Sequence, residues 1–147
     1  MVAAEALYVH EDCTISMGAQ EFHEELRIGC VVCSGLGEGR YFISMPEYRD
    51  AIGKDIGAEP YPGTLNLLPS GHDTTHRALA EIRRRGRNIL PDFERGGRHY
   101  GGLSICRALL DLEGRSVLVY IVLPEINRHP EVIEIVAHMN LRKTYHL

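Results

Sequence analysis

Between Gly102 and Pro124 two apolar runs, GLSICRALLDL and SVLVYIVLP, flank the short connection Glu113-Gly114-Arg115. Runs rich in Val, Ile, Leu and Tyr, joined by a few residues that include glycine, form a β-hairpin. Other β-type segments surround this one. ELRIGCVVCS (25–34) combines β-branched and small apolar residues, and TLNLL (64–68) follows a proline-rich turn. PEVIEIVAHMNLR (130–142) sets Val132, Glu134 and Val136 against Ile133 and Ile135, an alternation that favours a strand over a helix. Helical signal is concentrated in SMPEYRDAIGKDIG. There Ser44 suits an N-cap and Pro46 a first turn, Tyr48, Ile52 and Ile56 recur at i, i+4 and i+8, and Gly57 is a stop. HDTTHRALAEIRRRG (72–86) is read as a second helix. Strands do not alternate regularly with helices, as a parallel α/β fold requires. The pattern therefore predicts a mainly β chain, a small barrel with one or two short helices.

At 147 residues one domain with a real core is expected. Residues 1–25 have a mixed pattern and are read as a peripheral extension, with the folded domain at 26–147. Sixteen basic against twenty acidic residues give a formal charge of −4, which argues against a general nucleic-acid binder. The run Arg83, Arg84, Arg85, Arg87 is expected on a solvated face. No apolar stretch approaches the roughly 20 residues needed to span a bilayer, and the start shows no basic segment followed by an apolar block. Four cysteines without a dense framework fit reduced thiols in a cytoplasmic protein, expected to be a monomer.

The strand 25–34 runs into GLGEG, three glycines in five positions, then Arg40. The spacing is neither that of a Walker A loop nor that of a dinucleotide fingerprint. Its physics is nonetheless similar, because small residues let backbone N–H groups converge into an anion-binding nest, to which Arg40 adds a planar cationic fork. A tight structural turn is the alternative. In PYPGTLN (60–66) two prolines and a glycine fix a turn. Thr64 and Asn66 then lie two residues apart, on one side of a strand. Their hard oxygen donors suit Mg²⁺, which takes few protein ligands; the alternative is a turn followed by polar strand residues. In CVVC (30–33) a strand sends the two thiols to opposite faces, and no second pair exists for a zinc ribbon. HDTTH (72–76) lacks the glutamate of a zinc-protease helix and is read as a surface pair. Glu134, within an apolar strand, is either exposed on the outer face or placed to accept hydrogen bonds from a ligand.

Taken together, VVCSGLGEGRYFISMPEY, GAEPYPGTLNLLP, GRHYGGLSICRALL and EVIEIVAHMNLR resemble the archaeal CTP-dependent riboflavin kinases in order and spacing, over roughly residues 28–142. The resemblance implies a compact six-stranded β-barrel of the cradle-loop type. It implies transfer of the γ-phosphoryl group of CTP to the 5′-hydroxyl of riboflavin, giving FMN and CDP. Gly35, Leu36, Gly37, Glu38, Gly39 and Arg40 would hold the nucleotide, completed by Met139, Asn140, Leu141 and Arg142. Thr64 and Asn66 would ligate Mg²⁺, and with Arg40 they form the expected catalytic set. Glu134 would bind the flavin. The position that the family fills with a flavin-contacting threonine falls on Ile126 or Asn127, and Asn127 keeps a side chain able to hydrogen-bond. A non-catalytic flavin- or nucleotide-binding module on the same barrel is the alternative function.

Overall fold

A computed structural model of the chain describes residues 12–19, 24–33, 43–70, 75–127 and 131–147. The hairpin is its spine. Strands β7 (Leu103–Leu112) and β8 (Arg115–Pro124) pair antiparallel along their whole length, from Leu103 opposite Pro124 to Leu112 opposite Arg115. Arg115 thus belongs to the strand, and the turn is Glu113-Gly114, with Gly114 at φ 76° supplying the left-handed residue.

Six strands close on themselves. In order round the wall they are β1 (Cys13–Met17), β2 (Leu26–Cys33), β3 (Leu65–Pro69), β9 (Ile133–Val136), β8 and β7, and β7 returns to pair with β1. Every pairing is antiparallel. The second half of β7 makes the closure, with Thr14 opposite Asp111 and Ser16 opposite Leu109. Its first half carries an extra strand, β4 (Arg87–Leu90), which is irregular between Asn88 and Leu90. β4 crosses close to the start of β7 at Gly102, where a Cβ would fall 2.6 Å from the Leu90 carbonyl oxygen. A small separate hairpin, β5 (Phe93–Arg95) with β6 (Arg98–Tyr100), follows β4.

The expected boundary at residue 25 divides this barrel. Cys13, Ile15 and Met17 alternate inward and are buried, so β1 is a stave of the wall and not a peripheral extension. Five residues are too few to show a clear period, which is why the segment reads as mixed in sequence.

Alternation sorts the wall into two faces. Ile15, Cys30, Leu67, Ala108, Leu110, Val119, Ile121 and Ile135 fill the interior. Leu103, Ile105, Val122 and Val136 point outward, and a helix covers them. That helix, α1 (Pro46–Ile56), buries Tyr48 and Ile52, the stripe its spacing predicts, and Gly57 caps it at φ 75°. Its N-cap is Met45 rather than Ser44, with no side-chain cap bond, because Pro46 occupies the first turn. The Tyr48 hydroxyl donates to the Gly101 carbonyl at 2.7 Å, fixing α1 to the approach to β7.

Helix α2 (Thr75–Arg85) sends Ala78 and Ile82 into the interior cluster, closing the end where β1 turns into β2. Here the expected solvated basic face divides. Arg83, Arg84 and Arg87 are exposed, but the Arg85 side chain is 1% exposed. Its guanidinium bonds Glu81 and the carbonyls of Gly18 and Glu24, joining α2 to both sides of the β1–β2 connection. A planar fork with several donors suits this three-point contact. Among the described residues no helix is long and apolar enough to cross a membrane, and all four cysteines are free thiols.

Two neighbouring arginines should therefore behave differently. Arg85→Ala, which strands two backbone carbonyls and a carboxylate, is expected to cost about 2 kcal/mol or more. Arg84→Ala, removing an exposed helical ion pair, should cost about 0.5 kcal/mol or less. Urea unfolding midpoints of the two variants decide it; equal small losses would refute the bridging role of Arg85.

Candidate functional site

Strand alternation builds one part of the site. Leu65, Leu67, Ile133 and Ile135 face the interior, so Asn66 and Glu134 face outward. The register then aligns them. Cys33 lies opposite Asn66, Asn66 opposite Glu134, and Glu134 opposite Val122. A row therefore runs round the outer wall from thiol to amide to carboxylate, ending under the layer covered by α1. Asn66 is buried at 8% exposure, while Cys33 and Glu134 are half-buried.

The turn before β3 adds Thr64. Its hydroxyl donates to Asn66 Oδ1 at 3.3 Å, so the expected metal-ligating pair does converge. Two ligands on adjacent corners of an octahedral Mg²⁺ shell, each about 2.1 Å from the ion, lie about 3 Å apart. The two oxygens fit such a shell. Among the described residues no group of three His, Cys, Asp or Glu could hold a metal, and the two oxygens that converge here, from Thr64 and Asn66, are both neutral.

The turn is itself tied down. Tyr61 N–H donates to the Ala137 carbonyl at 2.8 Å, and Gly63 N–H donates back to the Tyr61 carbonyl at 2.8 Å across Pro62. This brings PYPGT against the segment after β9. That segment, read as continued strand, instead turns into a short helix, α3 (Leu141–Thr144). The reason is Asn140, whose Oδ1 accepts the Lys143 N–H at 3.0 Å as an N-cap, while its Nδ2 donates to the Tyr61 hydroxyl at 2.9 Å. Leu141 is buried against the barrel interior.

Between the two segments lies a cavity of about 190 Å³. Tyr61, Thr64, Met139, Asn140 and Arg142 line it, with Leu65 and Ile135 at its floor. Four expected nucleotide-site residues, Met139, Asn140, Leu141 and Arg142, thus share one cavity with the expected metal ligand Thr64. Gly35, Leu36, Gly37, Glu38, Gly39 and Arg40 lie outside the described residues; Cys33, two residues before Gly35, stands beside Asn66. Asn127 lies in the exposed turn that follows β8, next to Ile126, which is 63% exposed and rests against Gly101. The two thiols of CVVC part as expected, Cys30 inward and Cys33 outward. Of HDTTH, His76 is exposed on α2 and His72 lies outside the described residues. In sequence Tyr61, beside two prolines, reads as turn chemistry until the fold sets it opposite Asn140.

Burial pushes the Cys33 thiol above its ordinary range; the Arg142 guanidinium opposes this, and Glu131 reinforces it. Arg142 and Glu131 therefore act on the same end of β2. Since the other three cysteines are buried, a disulfide reagent should label one thiol in the folded protein, slowly at pH 7 and faster only above the usual thiol range. Removing the opposing charge in Arg142→Ala should slow labelling further at any fixed pH. Faster labelling in that variant would contradict the electrostatic assignment.

Residues 32–147 match the family model CTP-dep_RFKase, described as domain of unknown function DUF120. A riboflavin kinase of Pyrococcus furiosus is 38% identical over 138 residues, 87% of this chain and 60% of the relative. Riboflavin kinases of Pyrobaculum islandicum and Pyrobaculum calidifontis are 38% and 40% identical, over 80% and 76% of this chain. The chain spans 54% and 50% of those two relatives' length.

Proposed function

We propose, on the premise that the chain belongs to the CTP-dependent riboflavin kinase family, that it transfers the γ-phosphoryl group of CTP to the 5′-hydroxyl of riboflavin. The products are FMN and CDP. The observation that carries the reading is convergence. Thr64, Met139, Asn140 and Arg142 line one cavity, and Asn66 joins Thr64 to Glu134 across a single strand pairing.

Phosphoryl transfer needs little covalent help, and positioning with charge neutralisation supplies most of the acceleration. The residues present supply both. Thr64 and Asn66 would hold Mg²⁺, which when bound neutralises phosphate charge. Asn66 is nearly enclosed and held in a rigid wall, so its oxygen is fixed before any ligand arrives. Met139, Asn140, Leu141 and Arg142 take the nucleotide, Arg142 bringing a cation to its rim. The glycine loop Gly35–Arg40, continuing from the strand that ends at Cys33, is assigned to the phosphates. Glu134, one strand from Asn66, accepts hydrogen bonds from riboflavin, with Asn127 as its second flavin contact. A flavin held by Glu134 would thereby lie on the same stretch of wall as Thr64 and Asn66, the residues that would hold the ion.

Product formation tests the whole reading. Purified protein with riboflavin and Mg²⁺ should form FMN with CTP and little with ATP, separated chromatographically. FMN from ATP alone would overturn the donor assignment; folded protein that forms no FMN with any donor would leave the binding-module alternative. Two variants separate the roles. Asn66→Ala should lower kcat by 10²-fold or more, on the order of losing a charge-stabilising group, with the circular dichroism spectrum unchanged. Glu134→Gln should weaken riboflavin more than CTP, and equal weakening in a titration would remove the flavin assignment.

A further inference from the structure

We propose that the Tyr61 hydroxyl donates a hydrogen bond to an oxygen of the bound nucleotide, and that Asn140 aims it. The inference rests on the nucleotide reading of the cavity given above. Its basis is the direction of one hydrogen bond. The Lys143 backbone N–H can only donate, and it points at the Asn140 side chain from 3.0 Å, so the Asn140 carbonyl oxygen must face it. The Asn140 NH₂ group then faces Tyr61 and donates to the phenolic oxygen at 2.9 Å. Tyr61 is the acceptor in that contact, and its own proton is not used there. Among the described residues no other partner takes that proton.

Tyr61 lines the cavity together with Asn140, Thr64 and Arg142. Its main chain is held at both ends, by the Ala137 carbonyl and by the Gly63 N–H, so the ring has a fixed origin. A phenol that accepts a hydrogen bond is a better donor in turn, because the two bonds polarise one another. The arrangement is thus a preset donor on the cavity wall, and its partner must be an oxygen or other acceptor on the occupant. The nucleotide offers such atoms on the base carbonyl, the sugar and the phosphates.

Tyr61→Phe removes the hydroxyl and leaves the ring. Calorimetric titrations of wild type and variant with CTP plus Mg²⁺, with cytidine, and with riboflavin test the proposal. CTP affinity should fall about 3–10-fold, the worth of one neutral hydrogen bond, while riboflavin affinity stays within twofold. An equal fall for cytidine puts the acceptor on the base or sugar; a fall for CTP alone puts it on a phosphate; both uphold the donor. Asn140→Asp supplies the second arm. Its carboxylate keeps the Lys143 cap but cannot donate, so it draws the phenolic proton to itself. Where the first arm puts the acceptor on the base or sugar, cytidine, being uncharged, should bind that variant several-fold more weakly, and adding Tyr61→Phe should then change little; where it puts the acceptor on a phosphate, cytidine affinity should stay within twofold in both variants. Unchanged nucleotide affinity in Tyr61→Phe, or equal losses for riboflavin and nucleotide, would overturn the proposal. A wild-type protein that binds CTP yet forms no FMN would refute the kinase reading and leave the donor standing. One that binds no nucleotide would refute the donor as well.

Discussion

The pairing of β1 with the far half of β7 decides what the rest of the chain can do. It converts a sheet into a closed wall, and Asp111 stands at the seam. Ser16 donates to one of its oxygens at 3.0 Å and Ser116 to the other at 2.5 Å, so β1, β7 and β8 meet on a single carboxylate. Closure removes the two edges that a six-stranded sheet would otherwise present. It also fills the interior with apolar side chains, as small barrels do. Polar chemistry is thereby displaced to the outer wall and to the ends, where loops enter and leave.

The outer wall is not uniform. α1 takes the part made by the start of β7 and by β8 and β9, covering Leu103, Ile105, Val122 and Val136. The row Cys33–Asn66–Glu134 emerges from beneath that cover at the end where β2 stops and β3 begins. Period-two alternation sets which side chains stand there, and a register shift of one residue would send Asn66 and Glu134 into the core. The apolar residues on either side of each, Leu65 and Leu67, Ile133 and Ile135, hold that register. Core packing and site geometry are two consequences of one alternation.

That alternation is why much of the fold was legible. The long hairpin, the CVVC strand, TLNLL and the α1 stripe each carry a local pattern strong enough to read alone. Thr64 and Asn66 could be paired because only two residues separate them. What sequence hides is pairing at a distance. β1 is five residues long, and nothing in CTISM shows that it closes a barrel against residues almost a hundred positions away. Arg85 reads as one of four similar arginines until Gly18 and Glu24 are set around it. Asn140 reads as strand because its capping bond to Lys143 competes with an alternation that is strong only as far as Val136. Tyr61 becomes visible only once Asn140 faces it.

The chemistry of the metal pair proposed above follows from its neutrality. Thr64 and Asn66 bring two oxygens and no formal charge, and the carboxylate nearest in register, Glu134 across the strand pairing, is assigned on the proposed reading to the flavin. Mg²⁺ dehydrates reluctantly and gains most from anionic oxygens. On the proposed reading the ion therefore arrives with the nucleotide phosphates, and the protein orients a complex that already exists. Such a site needs rigidity more than charge, because two weak ligands discriminate only if they do not move. Asn66 is fixed between β2 and β9, and Thr64 is bonded to it directly. The turn before them is stapled to Ala137 through the Tyr61 N–H, while the Tyr61 side chain meets Asn140. The same residue that anchors the turn also lines the cavity, and on the proposed reading metal position and nucleotide position are coupled through one tyrosine.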